Sequence, residues 1–180
     1  VKVHNEMGKL FFTSLFLLIF SISLLCGCGT IQYVSSPSGV VDHDTAEQIM
    51  KPLNEARTKG MTCGSVYFSA VQPVRWNAKL ARAALNHSLD MAKNGFMGHK
   101  GSDGSSTDGR LARTGYLWSA YGENVGQGYR TAGEAVSAWL KSEMHCRNIM
   151  EPDFKEAGAA SAKNKNLRTF WTLVLGTPTK

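Results

Sequence analysis

The sequence predicts a layered α/β domain. Three segments carry apolar residues at helical spacing, a β-rich apolar run lies near the end of the chain, and the length and composition suit a single core. The 180 residues can bury one sizeable core, and 43% apolar with 19% charged side chains is a globular composition rather than a disordered one.

The first helix is expected over residues 45–59. Ala46, Ile49, Met50, Leu53 and Ala56 share one face, Pro52 either kinks the helix or marks its start, and Gly60 ends it. Residues 65–75 are apolar and irregular around Pro73. Asn77 is placed to cap a second helix over 78–94, which Gly95 stops. Leu80, Ala84, His87 and Met91 share a face of it, so His87 reads as a core histidine with one hydrogen-bond partner rather than a ligand. Residues 98–110 (GHKGSDGSSTDGR) read as loop throughout. Asp103 and Asp108 lack the EF-hand spacing and read as turn formers. Thr131 and Glu134 form a capping box at the start of a third helix over 132–142, whose apolar positions are Ala132, Ala135, Val136, Trp139 and Leu140. Residues 170–175 (FWTLVL), ahead of Gly176 and Pro178, read as a closing strand.

The formal charge of +6 is scattered, with no basic run and no interleaved aromatics, which argues against nucleic-acid binding. Residues 10–25 (LFFTSLFLLIFSISLL) follow Met7-Gly8-Lys9. The run falls short of the ~20 residues of a spanning helix and has a basic flank before it and small residues after it, so residues 1–27 read as an export signal. Leu25-Cys26-Gly27-Cys28 resembles the lipobox of bacterial lipoproteins. That resemblance implies cleavage before Cys28 and its lipidation, hence a membrane anchor in the cell envelope. Cys26 fits less well, because Leu25 is too large for the position before the cut. Gly29 in place of Asp implies an outer-membrane, periplasm-facing location in a two-membrane cell. Residues 28–44, with Ser35-Ser36-Pro37-Ser38-Gly39, read as a flexible tether, which leaves 45–180 as the folded domain.

Beyond the signal only Cys63 and Cys146 remain. In an exported protein such a pair is expected to be a disulfide, and closing so long a loop removes about 4–5 kcal/mol of unfolded-state entropy in the chain-entropy model. The competing readings are two buried thiols, or a thiolate near His145.

The order of the remaining features is informative. Asn54-x-x-Arg57, Cys63-Gly64, Trp76-Asn77, His87 and Phe96-Met97-Gly98-His99 come first. The loop from Gly101 to Arg110, Gly115-Tyr116 and Gly122-Glu123-Asn124-Val125 follow. Trp139, His145-Cys146-Arg147-Asn148-Ile149-Met150 and Glu156-x-Gly158 come last. This ordered set resembles the bacterial branch of the CAP superfamily (SCP-like; cysteine-rich secretory proteins, antigen 5, pathogenesis-related 1). The resemblance implies a three-layer α/β/α sandwich with a cleft, and the positions that match its cleft residues are His99, Glu123 and His145. A second cleft glutamate of the family has no fixed match. Ser142 stands where eukaryotic members carry it, and Glu134, Glu143 or no residue takes its place.

Two imidazoles and a carboxylate would suit a divalent metal such as Zn²⁺ with a position open to water, and bound water could then be activated for hydrolysis. Without metal, the histidines would titrate near neutral pH beside Glu123. The plainer alternative is a structural polar cluster. No nucleophile is marked: Ser102, Ser105 and Ser106 lie in the loop with no base placed near them, and HExxH and GxSxG are absent. The expected function is an envelope-anchored, non-enzymatic binding module for a lipid-like or envelope ligand, with no required cofactor. The alternatives are a metal-dependent, peptidase-like hydrolase using His99, Glu123 and His145, and a structural envelope protein.

Overall fold

The computed structural model describes residues 38–40 and 43–179. In chain order it contains β1 (Ser38–Val40), α1 (His43–Lys59), β2 (Met61–Cys63), β3 (Val66–Phe68), β4 (Arg75–Trp76), α2 (Ala78–Asn94) and α3 (Thr107–Arg113). These are followed by β5 (Trp118–Gln127), α4 (Ala132–Lys141), α5 (Glu143–Met150), β6 (Glu156–Lys163) and β7 (Thr169–Pro178). The expected export signal, Cys26 and the lipidation residue Cys28 lie outside the described residues. Among those described, no helix is long and apolar enough to cross a membrane.

The main sheet runs β1-β6-β7-β5, with antiparallel neighbours, and β4 joins β6 in parallel. Strand alternation sends the side chains of β6 and β7 to opposite faces. Ala157, Ala159, Trp171, Leu173 and Leu175 pack with Ile49 and Leu53 of α1, Val136 and Trp139 of α4, and Ile149 of α5. Ala160, Ala162, Phe170 and Val174 meet Leu80, Ala84 and Met91 of α2 on the other face. Helices therefore cover both faces, which is the three-layer α/β/α sandwich the resemblance implies. A separate hairpin pairs β2 with β3.

The second helix has the boundaries its capping residues dictate. Asn77 Oδ1 accepts from the amides of Lys79 and Leu80 at 2.9 and 3.3 Å, and Gly95 closes the helix at φ 70°. α2 lies so close over β6 that a Cβ on Gly158 would strike the backbone of Leu80 and Ala81. Small residues in β6 are the condition for that approach. Thr131 Oγ1 accepts from the Glu134 amide at 3.2 Å, but the Glu134 carboxylate turns back to the Arg130 amide rather than to that of Thr131.

Several expectations change. α1 begins at His43, and Pro52 lies inside it. Ser38–Val40, within the stretch read as a tether, pairs with β6 as an edge strand. The Gly/Ser/Asp-rich segment is not loop throughout: α3 starts at Thr107, anchored by buried Leu111 and Arg110. β5 and β6 lack the alternation that would have announced them. A further helix, α5, which the sequence did not announce, carries Glu143 and His145, and Glu123 lies within strand β5.

Two features fix the α5 corner. Cys63 and Cys146 form the expected disulfide, joining β2 to α5 in a buried cluster with Met150. Arg57 of α1 is fully buried and donates to the carbonyls of Gln72 (2.8 Å), Ile149 (2.6 Å), Glu151 (2.9 Å) and Phe154 (3.2 Å).

Candidate ligand site around Glu123

β5 is an edge strand of the main sheet, paired with β7 alone among the described residues. Alternation puts Glu123 on the same face as Val125, which packs with Met91 of α2, and Asn124 on the opposite face. Backbone positions on β5 are set by α5. Asn148 Nδ2 donates to the Glu123 carbonyl at 3.1 Å and to Asn124 Oδ1 at 3.0 Å, and Asn124 Nδ2 donates to the His145 carbonyl at 3.1 Å.

The Glu123 carboxylate is buried, and both of its oxygens are occupied. His99 Nδ1 lies 2.9 Å from Oε1 and Arg110 Nη2 lies 2.6 Å from Oε2. His87 Nε2 is 3.9 Å from Oε1. Burial works to raise the carboxyl pKa. The His99 hydrogen bond and the charges of Arg110 and His87 outweigh it, and the group is held below the ordinary carboxylate value. The same hydrogen bond raises the His99 pKa against partial burial. Burial lowers that of His87 in spite of Glu123. Arg110 also donates to the carbonyls of His99 (3.0 Å) and Ser105 (3.1 Å), so one guanidinium positions both the loop and the carboxylate.

The loop is pinned rather than loose. Asp90 of α2 accepts from the Ser102 amide at 2.8 Å and from its hydroxyl at 2.5 Å. Asp103 accepts from the Ser105 amide, the turn-forming bond its sequence suggested, and pairs with Arg113 at 2.7 Å. Gly104 takes φ +81° at the tip, a region open to glycine without strain.

Of the residues the sequence singled out, His99 and Glu123 are in direct contact. His145 is half-buried on α5, and its backbone carbonyl accepts from Asn124. Among the described residues its side chain has no hydrogen-bond partner, and its pKa is lowered first by burial and then by the charge of His99. Glu143 pairs with Arg147 at 2.7 Å and Glu134 with Arg130 at 3.4 Å, so neither supplies a second carboxylate to Glu123. His87 is the one-partner core histidine expected, bonded through Nε2 to the Gly98 carbonyl at 2.7 Å, and it also borders Glu123. Sequence reasoning gave Arg110 no role, because no spacing rule links an arginine in a Gly/Ser-rich segment to a glutamate on a later strand.

The donor set does not fit a metal. Among the described residues no group of three or more His, Cys, Asp or Glu side chains is arranged to hold an ion. The Glu123 oxygens are committed to a guanidinium and an imidazole, leaving neither as a ready ligand.

A three-layer sandwich with a His–Glu–Arg cluster on the terminal strand β5 of its sheet defines a class, and the comparisons agree with it. The family model for the cysteine-rich secretory protein family (CAP) matches residues 52–175, and the chain belongs to that family. The uncharacterized protein YkwD of Bacillus subtilis is 25% identical over 138 residues, which are 77% of this chain and 48% of YkwD. The chain therefore spans about half the length of that relative. An outer surface protein of Borrelia burgdorferi shares the fold with a TM-score of 0.66 at 15% identity, covering 79% of this chain and 98% of that one. An extracellular SCP-domain protein of Bacillus anthracis does so with a TM-score of 0.60 at 22% identity, covering 77% and 45%.

Proposed function

We propose that this is an exported CAP-domain protein, anchored to the cell envelope through lipidated Cys28, that binds an envelope amphiphile without catalysing a reaction. The carrying observation is a committed carboxylate in contact with an exposed imidazole, with exposed apolar side chains close to the site residues along the chain. Glu123 is neutralised by Arg110 and His99, while Met97, Tyr121 and Met144 are 49%, 37% and 75% exposed. Each stands within two residues of His99, Glu123 or His145. The exposed edge of His99, whose pKa the hydrogen bond to Glu123 raises, together with exposed apolar side chains suits an anionic head group with an acyl or other apolar tail. Export is supported by the extracellular Bacillus anthracis relative and by the signal-like residues 1–27. The hydrolase alternative gains no support from a carboxylate whose oxygens are both taken.

Fluorescence titration with a long-chain anionic acyl probe tests the ligand class. The unchanged protein is expected to bind, and His99→Ala and Met97→Ser are each expected to weaken binding about tenfold. Equal affinity in both variants, or no binding, would overturn this reading. Fractionation tests the anchor: Cys28→Ala should move the protein from membrane to soluble material, and a mature N-terminus beyond Cys28 would refute lipidation.

A further inference from the structure

The turn between β6 and β7 presents an apolar side chain at a backbone position that favours glycine. Leu167 is the one non-glycine residue with positive φ among those described, at 60°, and it is 79% exposed. A left-handed residue closing a tight hairpin turn is ordinarily glycine, because a Cβ there crowds the following carbonyl. The conformation is nonetheless held firmly. The Leu167 amide donates to the Asn164 carbonyl at 2.9 Å, and Asn164 Oδ1 accepts from the amides of Asn166 and Arg168, both at 3.0 Å. Leu167 belongs to none of the apolar clusters of the described residues. Lys163, Lys165 and Arg168 flank it, all exposed, and none of the three is ion-paired among the described residues. Lys93, exposed in the last turn of α2, stands at the same end of the sheet, since its neighbours Met91 and Ala92 pack with Ala162 and Phe170. The adjoining β5–α4 turn, joined by the bond from the Gly128 amide to the Thr169 carbonyl at 2.8 Å, holds Arg130 and Glu134 as a pair at 3.4 Å and adds no net charge.

The chain enters the domain at this end. β1 runs antiparallel to β6, with Val40 opposite Ser161 and Ser38 opposite Lys163, so that followed backwards it heads toward the turn. Cys28 lies ten residues before Ser38, a stretch that spans at most about 35 Å. At the opposite end of the sheet Trp118 pairs with Pro178, and Leu117 is 71% exposed. β7, ten residues long, separates the two ends by about 30 Å. Bringing that far end to a bilayer would consume nearly the whole reach of a tether lipidated at Cys28, whereas the β6–β7 turn needs little of it. A basic rim around an apolar tip suits a bilayer surface: the cations meet lipid phosphates and the leucine enters the acyl boundary. A soluble phosphate would use the cations and leave Leu167 in water, which selects the bilayer.

We propose that the β6–β7 turn docks on the anionic surface of the membrane that holds the lipid anchor, with Leu167 in the acyl boundary and Lys163, Lys165 and Arg168 on phosphate head groups. The proposal rests on the envelope-anchor reading and adds an orientation to it. The test uses the whole protein as processed on expression, reconstituted into phosphatidylcholine vesicles with and without phosphatidylglycerol, each carrying a phospholipid with a photoreactive diazirine on its acyl chain. Flotation reads anchoring, and mass-spectrometric mapping of the adducts reads docking. With phosphatidylglycerol present, adducts are expected on the segment 163–168 and not at Leu117. Lys165→Glu/Arg168→Glu, at exposed positions, should reduce them at least about fivefold, the effect of a single cation near an anionic bilayer, and leave flotation unchanged. Protein that floats without adducts at the turn, with as many at Leu117, or with equal labelling on the two kinds of vesicle would overturn this proposal and leave the anchor standing. Protein that floats with neither would overturn the anchor and this orientation together.

Discussion

The corner around Arg57 and the cluster around Arg110 both bury a guanidinium, and they use it in opposite ways. Arg57 faces backbone carbonyls from Gln72, Ile149, Glu151 and Phe154, so it ties α1 to the chain on either side of α5's end. Burial lowers its pKa, and only the more distant charge of Glu151 opposes that. Arg110 instead meets a buried carboxylate and two loop carbonyls. The first arrangement has nothing to titrate near neutral pH and nothing exposed, and it is a clasp. The second connects through Glu123 to an imidazole that is 59% exposed, so a buried charge is coupled to the surface. A buried arginine marks a site only when its partner leads outward.

Removing the clasp should cost most. Arg57→Ala strands several buried carbonyls and leaves a cavity, and urea unfolding should show a loss of about 4–5 kcal/mol. A loss below about 1 kcal/mol would mean that water replaces the guanidinium freely.

Arg110→Met should cost about 3–5 kcal/mol at neutral pH, because it leaves Glu123 buried and unpaired. The double variant Arg110→Met/Glu123→Leu should recover most of that loss, since apolar replacement of both partners of a buried pair is often neutral. Failure of the second change to rescue the first would show that Arg110 acts through the loop carbonyls and not through Glu123.

The disulfide comes next. Replacing Cys63 and Cys146 together by Ala should cost about 2–4 kcal/mol. Peptide mapping without reduction should find the two linked, and ready alkylation of both before reduction would show that they are not.

Smaller effects separate the histidines by sign. His99 has a raised pKa, so the stability it brings is complete below about pH 6.5 and is lost as pH climbs through its folded value. His87 and His145 have lowered values. Their contributions are complete above about pH 6.5 and are lost as pH falls through the folded values. Glu123 is also lowered, so its contribution is present above about pH 4.5 and fades under further acidification. Unfolding free energy measured from pH 8 to pH 5 should therefore fall less steeply in the unchanged protein than in His99→Ala. A steeper fall in the unchanged protein would reverse the assignment.

How much of this could be read beforehand depends on where each signal is local. The ends of α2 were legible because Asn77 and Gly95 act on their own neighbours. The disulfide was legible because two cysteines in a chain that reads as exported have one simple solution. β6 was not, because helices bury both of its faces and Gly158 is kept small for the approach of α2, which erases both alternation and β-propensity. Glu123 was found through its Gly-Glu-Asn setting. Its partnership with Arg110 is long-range and leaves no trace in spacing.

Central to the function proposed is that Glu123 is committed to Arg110 and His99 rather than free for metal or proton transfer. The most direct test is an NMR titration of the histidine side chains in the unchanged protein and in Glu123→Gln. His99 is expected to titrate above the ordinary imidazole value of about 6.5 and to drop in the variant, with His145 below that value in the unchanged protein. A His99 pKa at or below the ordinary value, or one that Glu123→Gln leaves unmoved, would contradict it.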